Sequence, residues 1–294
     1  MNLEDEVRRG YTIPGSMKRV WKVQLDLLKK LLDVCERHHL RIWADGGTLL
    51  GTVREHGYIP WDDDIDMAMM RDDYDKLVKV APKEFARPYF FQCGYTERFY
   101  PRGHAQLRMD GTTAILPYPL FLNTHQGIFI DIFPYDAMPD NPAVLKDLIA
   151  ERNQRMASFS ASGSKPSLFH PGRSFRNWRN RLAFKKRFFE FEEMLRKNST
   201  VDNSEVSCLS FIVDPEHFFR DKHWYDDTLY LPFEDISMPV PVGYHQILVR
   251  QYGDYMTPRR APTYHDGFWK LDADRPYQEF IPQLRRELRR KNQI

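Results

Sequence analysis

Cysteine is scarce, and the three present (Cys35, Cys93 and Cys208) lie far apart and are odd in number. That excludes a disulfide framework, and no pair has the short spacing of a zinc site. They read as buried free thiols in a reducing compartment. No apolar run approaches the roughly 18–20 residues that span a bilayer. The opening MNLEDEVRRG is too acidic and polar for a signal peptide. Nor does one charge dominate: 43 Lys and Arg stand against 41 Asp and Glu, which argues against wholesale nucleic-acid binding. Internal repeats are absent, and only the Ser/Gly-rich stretch ASGSKPS is of low complexity. What these absences leave is a globular chain expected in the cytosol, or peripherally at the inner face of a membrane. Its 294 residues suffice for one large domain or two small ones.

Hydrophobic spacing then divides the chain. Residues 16–39 repeat apolar positions at Val20, Val23, Leu27, Leu28, Leu31 and Val34, which predicts a helix with Ser16 as its N-cap. LRIWADGG reads as a short strand ending in a glycine turn, GTLLGTVREHG as a helix and DIDMAMM as a second strand. RDDYDKLVKVAPKEF returns to helical spacing, and PYFFQCGY and GIFIDIFPYD are rich enough in aromatic and β-branched residues to be strands. A helix is expected at the start of 141–165, and MPVPVGYHQIL reads as a hairpin or connector. A charged helix closes the chain near 277–291. The fold class is α/β (α+β), with a mixed sheet core flanked by helices. We divide it into a mixed α/β core over 1–140, a helical insertion over 141–200 and a mostly helical portion over 201–294.

Against an otherwise balanced composition, IPWDDDIDMAMM packs four aspartates into five positions, 62–66. Crowded carboxylates repel, and desolvation worsens the repulsion, so a cation is the simplest partner for a segment flanked by Ile59, Trp61, Ile65, Met67 and Met69. On a strand, Asp64 and Asp66 point to one face, with Asp62 in the same phase. Carboxylates converging in this way make a hard-oxygen site for Mg²⁺ or Mn²⁺. Asp131, a lone charge in the apolar strand GIFIDIFP, is the candidate third ligand. A calcium loop of the EF-hand type is excluded, because its glycine and glutamate positions hold Met67 and Asp73. One supersecondary unit upstream, Gly46-Gly47-Thr48 ends a strand and opens a helix. Backbone N–H groups can there approach phosphate oxygens, with the Thr48 hydroxyl as a further donor. Glycine turn and aspartates together point to phosphoryl chemistry.

GGTLLGTVREHGYIPWDDDID, followed by GIFIDIFP and later PVPVGYHQILVRQYGDYM, resembles the LicD family of phosphocholine transferases, a group that includes the fukutin-related transferases. The resemblance implies a nucleotidyltransferase-like fold. It also implies transfer of a phospho-alcohol from CDP-choline or another CDP-alcohol to a hydroxyl of a glycan acceptor that can be lipid-linked, with release of CMP. It makes Asp64, Asp66 and Asp131 the metal and catalytic carboxylates, Asp62 their support, and Gly46, Gly47 and Thr48 the holders of donor phosphates. Arg54 and Arg108 suit a phosphate clamp, being planar bidentate donors. Choline would need aromatic faces, for which Trp43, Trp61, Tyr252, Tyr255 and Trp269 are available, the Tyr252–Tyr255 stretch foremost.

Residues 173–197 carry nine Lys and Arg against three Glu, interleaved with Phe175, Trp178, Phe184, Phe188, Phe189 and Phe191. They read either as a membrane-surface helix or as an amphipathic helix packed on the core. Two other functions fit the pattern: a nucleotidyltransferase that adds a nucleoside monophosphate, and a silent glycan- or nucleotide-binding module.

Overall fold

A computed structural model describes residues 1–100, 102–117, 123–160, 182–199, 203–211, 214–260 and 267–290. The chain opens with a hairpin, β1 (Glu6–Arg8) and β2 (Tyr11–Ile13), before the long helix α1 (Gly15–Arg37). Helix α1 starts two residues earlier than a Ser16 cap predicts: Pro14 is the N-cap and Ser16 lies in the first turn, because proline's fixed φ already presets the helix entry. Then come β3 (Trp43–Ala44), α2 (Gly46–Glu55), β4 (Asp66–Met70), α3 (Arg71–Glu84), β5 (Tyr89–Gln92), β6 (Ala105–Met109), β7 (Thr113–Ile115) and the ten-residue β8 (Phe129–Met138). The remainder adds α4 (Pro142–Ser160), α5 (Phe184–Ser199), β9 (Glu205–Ser207), β10 (Arg220–Asp221), the hairpin β11 (Thr228–Phe233) and β12 (Ile236–Pro241), α6 (Tyr244–Tyr252), β13 (Lys270–Asp272) and α7 (Ile281–Arg290).

The main sheet runs in the order β10-β9-β8-β4-β3, with β6 also pairing β8 and β5 pairing β6. Strand β8 is its spine. It lies parallel to β4 with Asp66 opposite Asp131, and antiparallel to β6 with Gln106 opposite the same Asp131. One register position therefore collects side chains from three strands. Helix α1 packs on β6 and β8, and α3 on β4 and β8. The core they enclose is built from α1 leucines and from Met67, Ile130 and Ile132.

The mixed α/β architecture agrees with the sequence pattern. The portion after 200 is richer in strand than its sequence suggests, since β9 and β10 extend the main sheet and MPVPV is the second arm of the β11–β12 hairpin. Within the basic segment, Phe184, Phe188 and Phe191 of α5 are buried in a second small core with Met138, Leu148 and Phe219. Of the described aromatics only Phe189 is exposed, so this half of the segment turns its aromatic stripe inward. Phe175 and Trp178 fall outside the described residues. No helix among the described residues is long and apolar enough to cross a membrane.

Candidate active site

The acidic segment is a loop that becomes a strand only at Asp66, so strand alternation does not govern Asp62 and Asp64. Its shape is imposed from α1 instead. Trp21 Nε1 donates to the Asp62 carbonyl at 3.1 Å, and Gln24 Nε2 to the Asp63 carbonyl at 2.7 Å. Tyr58 stacks on Trp21 at 4.3 Å, and its hydroxyl donates to Gln24 at 3.1 Å, which fixes both donors. The loop delivers Asp62, Asp64 and Asp66 to one cavity of about 470 Å³, with Asp131 on the same wall. Asp62, Asp63 and Asp64 each place one oxygen within 4.8 Å of the others. Asp63, which strand alternation would turn to the opposite face, thus stays close to Asp62 and Asp64.

Burial of so many carboxylates has the expected electrostatic result. Asp62 and Asp66 are raised well above the ordinary carboxylate range, first by desolvation and then by the charge of Asp64. Such a cluster fits a hard divalent cation, whose charge would offset the repulsion. Asp62, Asp63 and Asp64 have oxygens near enough to one another to share it, and Asp66 and Asp131 line the same cavity.

Helix α2 begins against this cluster. Its N-cap Asp45 accepts from Gly46 N–H at 2.7 Å, and the positive end of α2 faces the cavity through Gly47. Glycine is favoured there. Gly46 has φ +50°, and a Cβ on Gly47 would meet Asp62 Oδ2 at 2.8 Å. Thr48 is buried, and its hydroxyl accepts the Asp66 N–H at 2.9 Å, locking helix to strand. Asp45 is in turn bound by Arg220 at 2.6 Å and by the Tyr135 hydroxyl at 2.6 Å, and Arg220 donates to Gln251 at 2.9 Å.

Two comparisons bear on this arrangement. Residues 39–171 match the family model described as LicD/FKTN/FKRP, nucleotidyltransferase domain. The lipopolysaccharide cholinephosphotransferase LicD of Haemophilus influenzae is 26% identical over 242 residues, covering 80% of this chain and 89% of that protein. Over residues 39–171 the chain is therefore similar to the LicD family. An uncharacterized protein of Rickettsia prowazekii is also similar, 25% identical over 178 residues, which cover 60% of this chain and 62% of that protein.

The LicD match ends at 171, yet the cavity is completed from beyond it. Phe211, Gln251, Tyr252, Asp254, Tyr255 and Arg259 form its other wall. Tyr252 and Tyr255 are brought there by the end of α6 and by Gly253 at φ +66°. Tyr255 also hydrogen-bonds His245 at 2.9 Å through its hydroxyl. Arg54 lines the cavity while donating to the Tyr255 carbonyl at 2.9 Å and to Glu55 at 2.7 Å. Arg108 does not line it. It is fully buried, donates to Gln92, to Gly127 at 2.7 Å and to Gln106 at 2.5 Å, and desolvation lowers it to about 10. Its part is indirect: Gln106, oriented by Arg108, donates to Asp131 Oδ1 at 2.7 Å. Among the aromatic candidates Trp61 lines the cavity, whereas Trp43 is core, bound to Thr228 at 2.9 Å, and Trp269 packs near Ile281 and Leu288.

Sequence reasoning missed Arg102, His104 and Gln106. All three address Asp131 Oδ1, with His104 Nε2 at 3.1 Å and Arg102 Nη1 at 4.0 Å. Their signal was the alternation of His104, Gln106 and Arg108 with the apolar Ala105, Leu107 and Met109, a strand pattern whose polar face is buried.

Proposed function

We propose that this chain transfers phosphocholine from CDP-choline to a hydroxyl of a glycan, such as a lipopolysaccharide precursor, and releases CMP. The observation that carries the reading is the convergence of Asp62, Asp64, Asp66 and Asp131 on one cavity at the start of α2. The name of the Haemophilus relative supplies the transferred group and the acceptor class. Asp64, Asp66 and Asp131 would hold Mg²⁺ or Mn²⁺, which supplies neutralisation of the pyrophosphate charge and a template for in-line attack. The chain's own residues supply the rest. The positive end of α2 and the Arg54 and Arg102 guanidiniums favour the donor's phosphates on the cavity wall. The acceptor oxygen forms a bond to the choline-bearing phosphorus as the bond from that phosphorus to CMP breaks. We assign the hydroxyl proton to Asp131, whose carboxylate is held against the wall by Gln106 and His104.

Incubation with a panel of CDP-alcohols and Mg²⁺, with products separated, tests this reading. CMP release that is fastest from CDP-choline is expected. Pyrophosphate release from CTP with no turnover of CDP-choline would instead make the chain a nucleotidyltransferase.

A further inference from the structure

Beside the main cavity lies a second, smaller compartment of about 110 Å³. The two meet at Gly47, Asp66, Phe133, Phe211, Gln251 and Tyr252, so they are neighbouring chambers with a shared wall at the start of α2. Their chemistry differs sharply. The large chamber carries Arg54, Arg102 and Arg259 beside its carboxylates and falls in the range that accepts a nucleotide-sized ligand. The small one has room for three or four waters at about 30 Å³ each. Its walls include the rings of Phe133, Tyr135, Phe211, Phe218 and Tyr252 together with the carboxylates of Asp45 and Asp66. Among the described residues no lysine or arginine lines it.

We infer that the small chamber is a quaternary-ammonium subsite, which seats the choline head while the nucleotide occupies the large chamber. The inference rests on the phosphocholine reading and adds to it the residues that select the alcohol. A trimethylammonium group makes no ordinary hydrogen bonds and gains most from aromatic faces with negative charge nearby, where attraction to a ring strengthens on desolvation. The chamber offers both. Phe133 and Phe211 are 5.3 Å apart and tilted by 39°, forming a corner rather than a closed stack. Arg152 holds that corner by donating to the carbonyls of Leu209 at 2.6 Å and Phe211 at 2.5 Å. The Tyr135 hydroxyl is occupied by Asp45 at 2.6 Å, so its donor is already satisfied. Arg220 is paired with Asp45, so the open charge on the chamber wall is that of Asp66; an anionic head would be repelled by it, and a polyol would set hydroxyls against the rings of Phe133, Phe211 and Phe218. The shared wall at Gly47 and Asp66 is then where the two phosphates of the donor lie, between base and alcohol.

The test is equilibrium binding, measured by calorimetry, of tetramethylammonium chloride, CDP-choline and CDP-glycerol to the whole chain with Mg²⁺ present. Wild type is compared with Phe218→Leu, which keeps bulk but removes a π-face. Phe218 lines only the small chamber. The variant is expected to weaken CDP-choline and tetramethylammonium by about tenfold while changing CDP-glycerol by less than about twofold. Equal weakening of both donors, or no binding of tetramethylammonium to the wild type, would overturn the subsite. Selective choline binding without CMP release would leave the subsite standing and remove the transfer reading instead.

Discussion

At the scale of single residues, the site depends on atoms that are missing as much as on those present. Gly47 leaves the space that Asp62 Oδ2 occupies. Gly47→Ala adds a methyl group at a helical position that tolerates it, yet the methyl displaces the carboxylate. We expect turnover to fall at least about tenfold while the thermal midpoint changes by less than about 2 °C, checked by steady-state kinetics beside calorimetry. A second residue-scale prediction concerns His125. Its Nδ1 accepts from Gly127 N–H at 3.1 Å, so its Nε2–H donates to Asp110 at 2.8 Å and the ring is neutral. Burial lowers its pKa to about 4. Because the folded value lies below that of an unfolded histidine near 6.5, its contribution to stability is complete above pH 6.5 and lost as pH falls toward 4. Between pH 7 and 4.5 the wild type is expected to lose on the order of 2 kcal/mol more stability in urea titrations than His125→Gln. Equal losses would show that the ring is not the group responsible.

At the scale of elements, the carboxylate strand is tied to its surroundings by the buried ions Arg71, Asp136 and Glu192, with Arg196 and Asp75 at their partly exposed rim. Arg71, at the start of α3, makes a two-point contact with Asp136 of β8 at 2.6 and 2.9 Å and reaches Glu192 of α5 at 3.3 Å. Arg196 joins Glu192 at 3.0 Å and Asp75 at 2.6 Å. Desolvation raises Glu192 above the ordinary range, which the two guanidiniums oppose. Asp136→Asn leaves Arg71 with less compensation, and a loss of about 3–5 kcal/mol in denaturant unfolding is expected. A loss within experimental error would mean that the cluster is relaxed by water. Most of these elements were legible in the sequence, because α1, α3 and β8 have one clearly apolar face or an apolar run. Strand β6 was not, since it is short and the polar residues that alternate with Ala105, Leu107 and Met109 are buried partners of the site instead of a solvated face. The extended start of the acidic loop was misread for a related reason: Trp21 and Gln24, some 40 positions away, set its backbone. Asp64, Asp66 and Asp131 could be picked from local pattern alone. Their hydrogen-bonded supports could not, because β-sheet register brings them together and register is a non-local property.

At the scale of the whole molecule, catalysis and specificity are assigned to different stretches of chain. The carboxylates and the glycine turn lie within residues 39–171, while Phe211, Phe218, Gln251 and the Tyr252–Tyr255 stretch come from beyond it. Arg220 joins the halves by binding both the Asp45 cap and Gln251. The account therefore stands on whether the carboxylate cluster powers transfer from CDP-choline. The direct measurement is CMP release from CDP-choline with Mg²⁺ by the wild type and by Asp66→Asn, each shown to be folded by its thermal midpoint. We predict release by the wild type and a fall of at least about a thousandfold in a folded Asp66→Asn protein. Undiminished release by that variant would contradict the account.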